Sequence, residues 1–413
     1  MKTIIRKVRK STIAKNSLWL VILQILNTVV PMITLPYITR ILGASQYGIF
    51  SISLNWILYL QVLVEFGFGL TGARKSAVIK NQESLNKLFN NILTARIYLL
   101  IISFVLINLI SFISRVSIDR YLCMILLFTM VVGTTFQLTW LFQGKQDMKF
   151  ITIVNAIART VSVGLTFIFV RKEKDLYLYC FLYSITYCIS SAISIYIANK
   201  KYSLKFKMAK LKEVYRELNE GKYLFMSSAM TKVFSGIGIT VLGIFSTEYL
   251  VGVYSAIYKI PYILTMFFSP FSQALYPYNS IEFEKSVENG KKSIRKICTP
   301  VFILFLALSM ILLIFRKIIV QILFGEEYFK YYNVLIPLII QFIFAMINNF
   351  LGIQYLVASG NEKKYTKAFS ISCIFILVFN FILGYMYNLY GVAIAALIGE
   401  IVLTISILYQ IKK

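Results

Sequence analysis

The sequence predicts an all-α membrane protein, with about twelve transmembrane helices in two parallel six-helix bundles around a central cavity. Three observations predict it. The chain of 413 residues is 58% hydrophobic and only 15% charged, too little polar surface for a soluble protein of that size. Apolar runs of roughly 20 residues recur along the whole length, each able to cross a hydrocarbon core about 30 Å thick. The runs are continuously apolar, without the period-two alternation of a barrel strand, which selects helices over a β-barrel.

In order, the spans fall at 17–39, 48–70, 91–113, 121–143, 151–170 and 176–198, then at 223–246, 250–276, 297–315, 331–357, 368–387 and 389–410. The first follows Lys15, carries Pro31 and Pro36, and has no signal-peptidase-like site behind it, so it reads as a retained helix. Pro31, Pro36 and Pro261 release backbone carbonyls and permit bending, either to line a transport path or as tolerated kinks.

The net charge is +26, from 43 Lys+Arg against 17 Asp+Glu. In a soluble chain that balance suggests nucleic acid. Here the charge sits in short connections between apolar spans, so nucleic acid is not a predicted partner. With the N-terminus inside, the inward connections and both tails carry about 30 of the basic residues and the outward loops about 9. This is a strong positive-inside signal and places both termini in the cytoplasm. Losing one span would put the basic centre or the ending Ile411-Lys412-Lys413 outside. No outward loop exceeds roughly 15 residues, which leaves little room for a catalytic domain. There is no His, and the five Cys (Cys123, Cys180, Cys188, Cys298, Cys373) show no metal-ligand spacing. No metal site is predicted.

The basic stretch 200–222 divides the chain into an N-terminal bundle, 1–199, and a C-terminal bundle, 223–413. The halves are weakly self-similar. Gly48-Ile-Phe-Ser51 opens the second span and Gly252-Val-Tyr-Ser255 the eighth, an offset of 204 residues. The turn Gly144-Lys-Gln-Asp-Met-Lys-Phe150 has a counterpart in Gly360-Asn-Glu-Lys-Lys-Tyr365. Six spans is an even number, so both halves enter the membrane in the same direction, related by an axis along its normal. A cleft between two such bundles suits a transporter.

Ionisable residues inside spans are the candidate site. Arg159, Lys232 and Lys259 lie near mid-depth, roughly 13–15 Å in at 1.5 Å per residue. A basic residue there costs about 2.5–3.5 kcal/mol when it faces lipid. These three are predicted to face a wet cavity. Arg40 and Arg96 lie nearer an interface, where a lumenal role and snorkelling both remain open. Asn55 falls opposite Lys259 under the repeat offset. Glu65 and Glu400 are the acids within spans, as counter-ions or as coupling sites. The excess of deep cations over acids implies an anionic passenger. Guanidinium and ammonium groups suit phosphate oxygens, and 28 Tyr with 33 Phe would suit sugar rings, though aromatic residues also anchor helices at bilayer interfaces.

Leu35-Pro-Tyr-Ile-Thr-Arg-Ile-Leu-Gly43, Tyr47-Gly48 and Glu65-Phe-Gly-Phe-Gly69 resemble the opening signature of bacterial polysaccharide flippases of the Wzx type, within the oligosaccharidyl-lipid/polysaccharide exporter superfamily. Gln143-Gly144 and Tyr390-Gly-Val-Ala-Ile-Ala-Ala396 also resemble it, and the likeness runs over essentially the full chain. Arg40 matches the family's Arg before Leu-Gly; the deep Arg and Lys residues match no fixed family motif. The resemblance implies that undecaprenyl-diphosphate-linked oligosaccharide (O-antigen, capsule or exopolysaccharide) is moved from the inner to the outer leaflet of the bacterial cytoplasmic membrane. It also implies a polysaccharide polymerase and chain-length regulator as partners. No Walker-type loop is present, so no cofactor is predicted, and an ion gradient or the membrane potential is left as the drive. The rivals are a drug/cation antiporter of the same superfamily, which needs more cavity acids, a lipid II flippase, which commonly has extra spans, and a membrane polymerase or ligase, which needs a larger outer loop.

Overall fold

The computed structural model describes the backbone of residues 2–412, with side chains at Trp19 and, apart from residue 27, from 22 to 412. Every regular element among the described residues is helical. In chain order these are α1 (Lys2–Glu65), α2 (Phe68–Val78), α3 (Gln82–Ile113), α4 (Ile118–Phe136), α5 (Thr139–Gly144), α6 (Met148–Phe169), α7 (Leu176–Tyr202) and α8 (Leu211–Phe245). Then come α9 (Glu248–Lys285), α10 (Val287–Ile314), α11 (Arg316–Phe324), α12 (Glu326–Phe329), α13 (Leu335–Asn348), a π-helix (Asn349–Val357) and α14 (Glu362–Lys412).

Ten described stretches are long and apolar enough to cross a membrane. Two of them are too long for one crossing. Ile22–Val78 has 57 residues and Glu362–Lys412 has 51, roughly 80 Å each at 1.5 Å per residue. Each contains one residue outside helical geometry, Gly43 (φ 69, ψ 171) in the first and Asn388 (φ 50, ψ −130) in the second. Counted with these breaks, the described residues hold twelve apolar segments. The breaks fall where the sequence places the turns between spans one and two and between eleven and twelve.

Short polar turns start several helices by offering side-chain acceptors to unpaired amides. Asn81 accepts from Glu83 at the head of α3, Thr247 from Leu250 at α9, and Ser286 from Asn289 at α10. The second span ends earlier than the sequence suggests. Phe66 and Gly67 take positive φ, and α2 restarts at Phe68.

By packing, the chain forms two compact units, one of Met1–Thr34 with Ile52–Val233, the other of Leu35–Ser51 with Phe234–Lys413. In the first, α7 packs on both α4 and α6, and α2 packs on α5. Hydroxyls hold these contacts, Thr129 on Ser184 at 2.6 Å and Ser162 on the Leu182 carbonyl at 2.6 Å. The basic stretch 200–222 ends α7, runs without helix through 203–210 and opens α8.

In the second unit α9 packs on α10 and α13, and α13 on α14. Phe305, Phe342 and Phe350 meet Phe268 edge-on, with centroids 5.4, 6.4 and 5.6 Å away. Beside this apolar core runs a buried polar chain. Ser293 donates to Asn279 (2.6 Å), Asn279 to Gln354 (2.9 Å), Gln354 to the Ser272 carbonyl (2.9 Å), and Ser272 to Asn349 (2.8 Å). Without water nearby, such side chains must satisfy one another.

The repeat appears as a physical contact in this unit. A Cβ on Gly48 would sit 1.8 Å from the Glu248 carbonyl oxygen, and one on Gly252 would sit 1.8 Å from that of Ala44. The two contacts are exchanged by the 204-residue offset, which maps Ala44 onto Glu248 and Gly48 onto Gly252, as a local two-fold axis requires. Only glycine lets two helices cross this closely.

Candidate functional site

The structure sorts the sequence-predicted residues into different environments. In the first unit, Glu65 at the end of α1 lies within electrostatic reach of both Arg96 and Lys232. Tyr187 on α7 lies in the field of Arg159 and of Glu65. Glu65 of α1 is thus in the field of Arg96 of α3 and Lys232 of α8, and Tyr187 in that of both Glu65 and Arg159 of α6. Glu65 is exposed, and Arg159 and Lys232 are half-buried.

Arg96 differs from them, being 5% exposed. Its Nη1 donates to the carbonyls of Gln137 at 2.9 Å and Thr134 at 3.3 Å, and its guanidinium lies 6.0 Å from the Phe68 ring centroid. The reason lies in the fourth span, a single run in the sequence but broken in the fold between α4 and α5. A break leaves carbonyls and amides without intrahelical partners. Arg96 serves the carbonyls, where a cation also suits the negative end of the helix. Ser194 accepts from the Leu138 amide at 3.1 Å, and Gln137 donates to Ser190 at 2.9 Å. In this conformation Arg96 braces a broken helix.

Asn55 is buried ten residues before Glu65, with its Nδ2 3.4 Å from the Tyr59 hydroxyl. That separation is about 15 Å along a helix, so it stands apart from the charged cluster.

In the second unit, Arg40 is exposed and donates to the Ile322 carbonyl in the last turn of α11. Next to it, the Glu327 carboxylate accepts from the Ala44 amide, both oxygens 3.1 Å away, where the helix restarts after Gly43. Tyr249 holds the Glu327 carbonyl at 3.0 Å. The Thr39-Arg40-Ile41-Leu42-Gly43 motif therefore builds a turn: Gly43 takes the positive φ, Leu42 is fully buried, and opposite charges sit at the two helix ends they favour.

Lys259 is half-buried on α9, its ammonium 5.2 Å from the Tyr262 ring centroid. Tyr262 stacks on Tyr258 and Tyr258 on Tyr254, at 6.4 and 5.8 Å. Glu400 is 7% exposed and accepts from Asn348 Nδ2 at 2.7 Å, while Thr404 donates to Asn348 Oδ1 at 2.7 Å.

Several groups escaped sequence reasoning. Glu217, 2% exposed, accepts from Lys75 at 2.6 Å, and Glu327 caps a helix 283 residues away. A polar residue in a loop or helix end gives no sign of such a partner. The tyrosine ladder was findable from its i, i+4, i+8 spacing on one face. No group of three or more Cys, Asp or Glu among the described residues could hold a metal ion.

The fold is shared with solved transporters. The lipid II flippase MurJ superposes with a TM-score of 0.73 over 97% of this chain and 88% of that one, at 13% identity. An inward-facing MATE family multidrug transporter of the MOP superfamily superposes at 0.71, over 96% and 97% of the two chains, at 14% identity. Twelve apolar segments in this arrangement define a multi-pass membrane protein with the exporter-superfamily fold. In sequence, the chain is 26% identical over 406 residues to the "Putative O-antigen transporter" of Escherichia coli (strain K12), covering 98% of each. Residues 13–282 match the family described as "Polysaccharide biosynthesis protein", and the chain belongs to that family.

Proposed function

We propose that the chain flips undecaprenyl-diphosphate-linked oligosaccharide repeat units from the inner to the outer leaflet of a bacterial cytoplasmic membrane, with both termini in the cytoplasm. The observation that carries this reading is the cluster of Arg96, Lys232 and Glu65, with Arg159 nearby. Basic groups exceed acidic ones there, and Lys232 and Arg159 lie at mid-membrane depth, where a cation facing lipid is costly; a diphosphate supplies matching negative charge. Lys232 and Arg159 retain exposed surface and receive the phosphates; Arg96 adds field from behind while bracing α4. Glu65 keeps the empty site from being over-charged and yields when the passenger arrives.

Two six-helix bundles, 1–199 and 223–413, joined by the basic stretch 200–222, rock to present the cargo to each leaflet in turn. Lys259 and Arg40 meet it on the outward side. The Tyr254–Tyr258–Tyr262 ladder beside Lys259 offers flat apolar faces to sugar rings. An ion gradient or the membrane potential drives the cycle, and a polysaccharide polymerase with its chain-length regulator takes up the product. The name of the Escherichia coli relative supports an O-antigen type of cargo.

The test is leaflet-resolved detection of fluorescent lipid-linked oligosaccharide in proteoliposomes. Protein-dependent movement to the far leaflet, lost in Lys232→Ala/Arg159→Ala at unchanged protein level, is the expected result. Equal movement in protein-free vesicles, or full activity in the double variant, rules the proposal out.

A further inference from the structure

The segment between α7 and α8 is attached to α3 in an unusual way. The amides of Lys205, Lys207 and Ala209 donate to Asn86 Oδ1 (3.3 Å), Asn90 Oδ1 (3.0 Å) and Thr94 Oγ1 (3.0 Å). Alternate residues of the segment thus meet every fourth residue of the helix. Two residues of extended chain cover about 6.6 Å and four helical residues about 6 Å, so the two repeats stay in step over three bonds. Gln82 donates to the Tyr202 carbonyl at the lower end. The segment is a ribbon held by its backbone edge, which leaves its side chains for other work.

Those side chains alternate. In extended chain, Leu204, Phe206 and Met208 share one face, and Lys205 and Lys207 the other. Phe206 is 56% exposed and Met208 52%; Leu211 and Tyr215 on the first turns of α8 are 69% and 71% exposed. Lys205, Lys207, Lys210, Lys212 and Arg216 are exposed among them. The level of the ribbon follows from its anchor. Along α3 the sequence passes from Gln-Glu-Ser-Leu-Asn-Lys to a mainly apolar stretch after Asn91, interrupted at Thr94 and Arg96, and the bonded positions 86, 90 and 94 straddle that change. The ribbon therefore lies where water gives way to hydrocarbon.

We propose that residues 203–216 form a docking surface for the headgroups of anionic phospholipids. Phe206, Met208 and Leu211 enter the interfacial region, where large apolar groups are favoured, and the interleaved Lys and Arg side chains contact lipid phosphates. Each basic group near a negatively charged leaflet strengthens attachment by about fivefold. Charge complementarity and the level of the anchor favour lipid over a soluble partner, which would leave the apolar face in water until it arrived.

The test uses the full chain in vesicles of phosphatidylcholine mixed with phosphatidylglycerol, where both leaflets carry the anionic lipid. Its outcome then depends on neither transport nor orientation, so it can fail while the flippase reading stands, and the reverse. Phe206→Trp is introduced and its emission quenched by bromine-labelled phosphatidylglycerol or phosphatidylcholine at equal mole fraction, after subtracting the signal of Trp19, Trp56 and Trp140 from the unaltered chain. The brominated anionic lipid should quench several-fold more strongly. Adding Lys205→Gln/Lys207→Gln should abolish the difference, whereas Lys363→Gln/Lys364→Gln, an equal loss of charge on another turn, should keep it. Equal quenching by both lipids overturns the proposal, as does a preference that survives the ribbon substitutions or falls equally with the control. Quenching by aqueous acrylamide but by neither lipid overturns it in favour of a soluble partner. Should Phe206→Trp fail to fold, native mass spectrometry of the unaltered and Lys205→Gln/Lys207→Gln chains decides. Retained phosphatidylglycerol must drop with the substitutions, and unchanged retention overturns the proposal.

Discussion

The charged residues of the first unit divide by what their hydrogen bonds are spent on. Arg96 is committed to the Thr134 and Gln137 carbonyls in a buried setting, and its removal strands two acceptors with no water to replace it. Arg96→Leu should lower stability by about 2–4 kcal/mol, read as a fall in the thermal midpoint in detergent. Lys232 and Arg159 keep exposed surface. Lys232→Gln should leave that midpoint nearly unchanged while slowing flipping at least tenfold, on the order of one lost charge-assisted bond to phosphate. A large stability loss in Lys232→Gln would make it a structural cation. Sequence depth alone singled out Arg159, Lys232 and Lys259, because the cost of a mid-span charge depends only on position along the helix. Depth set Arg96 nearer an interface but gave no sign of its bonds, since its acceptors lie 38 and 41 residues downstream.

At the scale of elements, the repeat and the opening motif acquire physical meaning. The Gly48–Gly252 crossing leaves no room for a methyl group on either side. Gly48→Ala and Gly252→Ala should each cost about 1–3 kcal/mol through forced separation of two helices. Because one contact is lost in both, the double variant should cost less than their sum; thermal unfolding of the single and double variants checks this, and strict additivity would mean the crossing is not shared. Glu327→Ala should cost about 1 kcal/mol by removing the acceptor at the Ala44 amide, read in the same assay. The offset of 204 was legible because both glycines lie in matching Gly-x-x-Ser stretches that open spans. The break between α4 and α5 was not, because Gln137-Leu138, where the helix stops, carries neither Gly, Pro nor charge, and Gly133 lies inside α4. The π-helix at Asn349–Val357 was hidden too, since a lone Gly352 is tolerated within a helix.

For the whole molecule, twelve apolar segments and the distribution of basic residues make a directional prediction. In a chain whose native cysteines are replaced, cysteine at Lys174 should react with a membrane-impermeant maleimide from outside intact cells. Cysteine at Lys205 or Lys364 should react only after permeabilisation. The reverse pattern would invert the orientation and remove the basis for a cytoplasmic binding step. Segment count was legible in the sequence, because a membrane helix satisfies its own backbone and needs only sufficient apolar length; the expected orientation rests on loop charge, which responds to the membrane field one residue at a time. Tertiary structure decided which cations are buried against carbonyls, as Arg96 is, and which keep exposed surface, since a side chain's partners arrive from helices far along the chain. It also decided that the basic centre is pinned to α3, because three amides and three side chains find one another only once the helix exists to space them.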